Sequence, residues 1–405
     1  MTPWTELSSH RHWLARHFED LLGFGRRTPY PGGGAAWLGE AGEPWLDRGL
    51  QTWITARTTH LYSLGALAGV PGCRPVAEAA LAGLTGPLRD TVHGGWFTQV
   101  DPDGSTPDEK AAYSHAFVVL AASSASVAGL DGAAGLLTDA LATFEARFWD
   151  DAAGLAVDTW DATFTTLDPY RGINANMHTV EAFLAAADVT GDTVWLARAA
   201  RIAGFAASSA AGNGWRLPEH FDSAWAPQLE FNADRPGDQF KPYGATVGHG
   251  LEWARLLLHL EAAGATGTDW AAAAAALYQR AFADGWAVDG ADGFVYTTDW
   301  QGAPVVRDRM HWVVAEAIGA AAALHQRTGE ARYADDYARC WDYAQRYLVD
   351  HDGGSWHHQL DPSNVPTGTV WPGKADLYHA AQATLIPRLP LAPTLATALS
   401  RGLLG

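Results

Sequence analysis

The chain has 405 residues, 48% of them apolar, and a formal net charge of −18. That acidity argues against partners such as nucleic acid or an anionic membrane surface, which need basic patches. Its two cysteines, Cys73 and Cys340, are too few for a disulfide framework and are not spaced as a metal knuckle.

Apolar residues at 3.6-residue spacing, broken by Gly or Pro, predict helices over 6–22, 45–69, 73–86, 108–128, 132–149, 173–189, 193–210, 245–264, 268–283, 308–327, 331–349, 374–387 and 391–403. No run of 18 apolar residues suggests a membrane span. The opening MTPWTELSSHRHWLARHFED lacks the apolar core of a signal peptide, so a cytoplasmic location is expected. The connections alternate in length. Short turns (AGVPG, GLDG, VTGD, ATGTD, RTGE) follow one set of helices, and long segments such as DGWAVDGADGFVYTTDWQGAPVV and DHDGGSWHHQLDPSNVPTGTVWPGK precede them. Alternating aromatic and β-branched runs around Gly turns in the long segments predict small β-hairpins. Antiparallel helix pairs then carry every short turn at one end and every long loop at the other, where function usually sits.

One histidine recurs in this pattern, at His60, His115, His178, His249, His311 and His379. Six units of roughly 64 residues span nearly the whole chain, a period that signals a repeated supersecondary unit. The expected architecture is all-α, a single (α/α)6 barrel over residues 1–405 with six inner and six outer helices, a C-terminal helix, and hairpins in the long loops. The histidine helices are inner, and a closed ring brings the six histidines together. An open helical solenoid is the structural alternative.

Two histidines carry an acid three residues on, His178 with Glu181 and His249 with Glu252, and positions i and i+3 share a helix face. A carboxylate there fixes the imidazole tautomer and raises its basicity. The pair His311 and Glu316, five apart, fits less well. Histidine suits proton removal from a carbon acid at neutral pH. Arg57, one turn before His60, Lys374, before the His379 helix, and Arg171, before the NANMH segment, are scarce cations that could stabilise an enediolate oxygen, with a helix-surface ion pair as the alternative for Arg171. Nineteen tryptophans serve packing, and some of them sugar stacking. Three other readings stay open: a metal site of clustered His and Glu, although no HExxH occurs; a glycoside hydrolase using two of Glu181, Glu252 and Glu316; and a sugar-binding barrel without catalysis.

The segments YRGINANMHTVEAFLAAADVTGD, PYGATVGHGLEWARLLL, RMHWVVAEAIGAA and VWPGKADLYHA resemble the N-acylglucosamine 2-epimerase superfamily, and within it the D-mannose isomerases and related aldose–ketose isomerases. The resemblance runs from about Trp53 to Pro387. It implies the barrel fold, no metal and no cofactor. It implies that His249 and His379 are the acid/base pair and that His178 opens or orients the sugar ring. Arg57, Tyr113, Asn174, Glu252, His311 and Trp312 would bind sugar, with Glu181 and Glu316 as polar supports. Trp371 and Lys374 complete the substrate-binding set, where relatives differ with their sugar. The implied reaction interconverts mannose and fructose through a cis-enediolate. A 2-epimerase of glucose and mannose or of cellobiose, or a sulfoquinovose isomerase, would use the same residues. The partner is a monosaccharide; neither a monomer nor a homodimer is singled out.

Overall fold

A computed structural model describes residues 2–405. Six outer helices alternate along the chain with six inner ones. The outer set is α1 (Ser8–Phe24), α3 (Cys73–Thr85), α5 (Ala133–Arg147), α7 (Thr193–Gly212), α9 (Trp270–Gly285) and α11 (Ala331–Tyr343). The inner set is α2 (Thr52–Leu67), α4 (Ala112–Val127), α6 (Ile173–Thr190), α8 (Val247–Ala262), α10 (His311–Thr328) and α12 (Tyr378–Leu385). Inner helices are buried on nearly every face and rich in Ala, Gly, Ser and Thr, so they pack closely around an axis. Outer helices bury one stripe, as α11 does with Tyr333, Tyr337, Cys340 and Trp341.

The inner helices touch in the order α2, α4, α6, α8, α10, α12, and α12 returns to α2. The ring closes, as expected for an (α/α)6 barrel, and the solenoid is set aside. A C-terminal helix, α13 (Leu395–Ser400), packs across α2, α4 and α6. Short turns are built by left-handed glycines such as Gly191 (φ 70°) and Gly329 (φ 71°), which end α6 and α10 without a Cβ penalty. Asp192 and Asp269 then cap the next outer helices through the amides of Val194 and Ala272.

The predicted helix starts at 45, 108, 308 and 374 are corrected to 52, 112, 311 and 378. The residues just before α2, α4, α6, α8 and α10 are extended because their main chain pairs with a strand in the next long loop, whereas Leu377, before α12, is helical without a strand. Leu50–Gln51 pairs antiparallel with Gln99–Val100, Lys110–Ala111 with Thr159–Trp160, Arg171–Gly172 with His220–Phe221, Ala245–Thr246 with Thr297–Thr298, and Arg309–Met310 with Gln359–Leu360. Local hairpins exist as well, such as Trp149–Asp150 with Leu155–Ala156. The longer-range pairs stitch neighbouring units at the end where the cavity opens. No helix among the described residues is long and apolar enough to cross a membrane.

Candidate active site

The N-terminal turns of the inner helices surround a cavity at the long-loop end. Of the sequence-predicted residues, His178, His249, His379, Arg57, Tyr113, Asn174, Glu252, His311, Trp312 and Trp371 line it. His249 and His379 sit at the third and second positions of α8 and α12, so their rings face the axis from the helix mouths.

Each of these two histidines has its own carboxylate. His249 Nδ1 lies 2.8 Å from Glu219 Oε2, and His379 Nδ1 lies 2.8 Å from Glu316 Oε1. A carboxylate accepts, so Nδ1 carries the proton and Nε2 is left as the basic atom. The indole of Trp312 stands between the two imidazoles, with ring centroids 5.3 Å from His249 and 5.7 Å from His379. The predicted partner of His249, Glu252, is corrected: it points to Arg255 and His178 instead. Likewise Glu316 serves His379 and not His311.

Beneath the histidines lies a charged layer. Arg255 donates from Nε to Glu316 Oε2 at 2.8 Å and approaches Glu252 Oε1 at 3.4 Å. Burial alone would raise the pKa of Glu316, but Arg255 and His379 hold it at about 2. Glu252, 1% exposed, is pushed the other way by burial and by the neighbouring Glu316, so its carboxyl sits well above the usual range. Burial brings the His178 pKa down to about 4, so the ring is neutral; its Nδ1 lies 3.7 Å from Glu181 Oε2 and 3.9 Å from Glu252 Oε1. Glu181 also accepts from the Tyr378 hydroxyl and from Gln382. Glu181 and Glu316 are not among the residues of the cavity wall; they bind Tyr378 and Gln382, and His379 and Arg255, behind it.

Arg57 donates to Asp376 Oδ2 at 2.8 Å and to the Tyr113 hydroxyl at 3.1 Å, with its guanidinium against the faces of Phe117 and Tyr378. Despite burial, which disfavours a cation, Asp376 holds it charged. Asn174 Oδ1 and Trp371 Nε1 are buried with no protein partner, and both residues line the cavity. They are the kind of acceptor and donor that a sugar hydroxyl satisfies.

Other expectations change. Lys374 is fully buried away from the cavity, bound to Asp350 and to the carbonyl of Gly354. It belongs to a repeated scaffold device, matched by Lys110 on Asp90 and Arg309 on Asp289. Arg171 is also buried, and its Nη1 donates to the carbonyls of Asp168 and Tyr170 in place of a surface acid. Both ring nitrogens of His311 meet main-chain carbonyls, of His358 and Asp376, at 3.2 Å. Burial keeps the ring neutral, so it donates to only one of these carbonyls and the other nitrogen keeps its lone pair. Nor do all six histidines converge. Tyr113 faces the cavity, and His115, two residues or 200° further round, faces outward and accepts from the Trp96 amide. His60 lies about 4.5 Å deeper than Arg57 along α2, where its Nδ1 meets Ser124 Oγ at 2.7 Å.

Two clusters have the donor types of a cation site: His178, Glu181 and Glu252, and Glu252, Glu316 and His379. Arg255 already lies against Glu252 and Glu316, so a resident guanidinium supplies the positive charge there.

Residues 33–383 match the model of the N-acylglucosamine 2-epimerase (GlcNAc 2-epimerase) family. The chain belongs to the N-acylglucosamine 2-epimerase family. Among relatives in that family, a D-mannose isomerase of Thermobifida fusca is 52% identical over 99% of this chain and 99% of its own length. Another, of Pseudomonas cannabina pv. alisalensis, is 46% identical over 98% and 97%. A crystal structure of a D-mannose isomerase superposes with a TM-score of 0.87 at 26% identity, covering 93% of this chain and 97% of that one.

Sequence reasoning missed Glu219, Arg255, Asp376 and His358. Glu219 lies 30 residues before its histidine in a loop, and no periodicity signals such a pair. Arg255 was visible, one helical turn after Glu252, as a cation inside an apolar run.

Proposed function

We propose that the chain is an aldose–ketose isomerase that interconverts D-mannose and D-fructose, with the whole barrel as one catalytic unit. The observation that carries this reading is the pair His249 and His379. Each is anchored through Nδ1 by a separate carboxylate, and both rings lie against one Trp312 in one cavity. The named relatives support the choice of sugar.

In the open-chain aldose, one imidazole Nε2 takes the C2 proton. The C–H electron pair becomes the C1–C2 double bond, and charge moves onto O1. Arg57 is the fixed cation at the cavity wall that stabilises such an enediolate oxygen. A proton passes from O2 to O1, the imidazolium returns its proton to C1, and the carbonyl reforms at C2. His178, neutral through burial, and Asn174 line the same cavity, which supports a part for them in orienting the ring and its opening. The chemistry needs no redox cofactor. We propose that it also runs without a metal, with Arg255 as the charge partner that a cation would otherwise be. The two free, buried thiols of Cys73 and Cys340 fit a cytoplasmic location.

A second reading, 2-epimerisation, is favoured by the second basic histidine, because returning the proton to C2 from the opposite face needs a donor on that face. Incubation with D-mannose and chromatography of the products separates the two. Fructose supports isomerisation, glucose replaces it with epimerisation, and neither removes simple mannose as the substrate. Lys374 gives no support to a sulfosugar, since its ammonium is bound to Asp350.

A further inference from the structure

The connection between α7 and α8 contributes Gln239, Phe240 and Pro242 to the cavity wall. Its seat depends on a residue outside the cavity, His220. The Nε2 of His220 lies 2.8 Å from the Pro242 carbonyl, which can only accept, so Nε2 carries the proton. Burial keeps the ring neutral, and Nδ1 is therefore the acceptor for the Tyr170 hydroxyl at 2.7 Å. The ring also packs on Phe231, from the same connection, with centroids 4.6 Å apart. Both nitrogens are committed and the ring is 4% exposed, so its placement is fixed on all sides.

The neighbouring residue is Glu219. Adjacent residues of an extended segment project to opposite sides. One side of this segment sends the Glu219 carboxylate to His249 Nδ1 and to the Thr246 amide. The other side clasps the loop that lines the cavity. The main chain between them is held by pairing with Arg171–Gly172, directly before α6 and the cavity residue Asn174.

We infer that His220 is a positioning residue that couples the seat of this cavity-lining loop to the orientation of His249. The inference rests on the isomerase reading for its kinetic consequences, but its structural half can be tested without turnover.

The test compares His220→Phe, which keeps a ring against Phe231 but loses both hydrogen bonds, with His220→Gln, whose amide can still donate to the Pro242 carbonyl. Two readouts are taken: amide hydrogen exchange over residues 228–243, and kcat and KM for D-mannose. His220→Phe is expected to speed exchange across that loop, raise KM about tenfold and lower kcat, as the loss of a buried hydrogen-bonded clasp implies. His220→Gln is expected to restore the exchange rate and most of KM. The kcat losses of His220→Phe and Glu219→Gln should combine to less than their product, because both act through His249. Should His220→Phe fail to fold, Tyr170→Phe, which deletes only the hydroxyl on Nδ1, is expected to show smaller changes of the same sign. Wild-type loop exchange in His220→Phe or, in its absence, in Tyr170→Phe would overturn the clasp. Faster exchange with unchanged kcat, or fully multiplicative kcat losses, would overturn the coupling. A wild-type protein that turns over no aldose sinks the isomerase reading instead, and the exchange data still decide the clasp.

Discussion

At the scale of single residues, the chemistry depends on two imidazoles whose Nδ1 protons are each held by a buried carboxylate. Glu219→Gln and Glu316→Gln keep an oxygen that accepts from the ring but remove the charge that stabilises the imidazolium. Steady-state kinetics should show kcat lower by about 10- to 100-fold with KM little changed. An unchanged kcat would remove the carboxylate from the account. His249→Ala and His379→Ala should each abolish turnover while leaving the helical circular dichroism intact. The histidines themselves were legible in the sequence, because each opens a helix in a repeated setting. Their partners were not. A helix-face rule finds an acid three residues away, as for His178 and Glu181, but Glu219 and Glu316 reach their histidines across 30 and 63 residues of sequence. Such pairs exist only once the ring has closed. The same blindness misplaced Lys374, whose cation reads identically whether it faces a sugar or Asp350.

At the scale of elements, two substitutions separate packing from helix propensity. In an open helix position Gly→Ala stabilises by about 1 kcal/mol. At Gly248, in the first turn of α8, a Cβ would lie 2.3 Å from the Trp312 ring. Gly248→Ala should therefore destabilise, by about 1–3 kcal/mol, and lower kcat by displacing the indole between the two histidines. A raised melting temperature with normal kcat would contradict this seat. Lys374→Ala leaves Asp350 without its buried cation and should cost about 3 kcal/mol in urea unfolding, with KM for sugar unchanged in the folded fraction; a raised KM with unaltered stability would return Lys374 to the site. Helix existence and order were legible because apolar periodicity persists over many residues. The helix starts were not, because two-residue strands are too short to carry a period, and their pairing partners lie a whole unit away.

At the scale of the whole molecule, closure of the ring buries histidines throughout the barrel and its rim. Burial lowers His17, His60, His115 and His311 from 6.5 to about 4. Between those values the unfolded chain binds protons that the native state does not. Stability is therefore full above pH 6.5 and falls as pH drops toward 4. Thermal unfolding followed from pH 7.5 to 4.5 should show a steep decline within that window, and a flat profile would mean the rings are solvated or charged in the native state. Architecture at this scale was the most legible property, since six repeats of alternating long and short connections admit few arrangements other than a ring. The central claim is that two carboxylate-anchored histidines and Arg57 move a sugar proton without a metal. Proton NMR of the EDTA-treated protein with D-mannose in D2O tests it most directly. The account predicts growth of fructose signals with deuterium entering at C1; an unchanged mannose spectrum, with turnover restored only by added divalent cation, would contradict it.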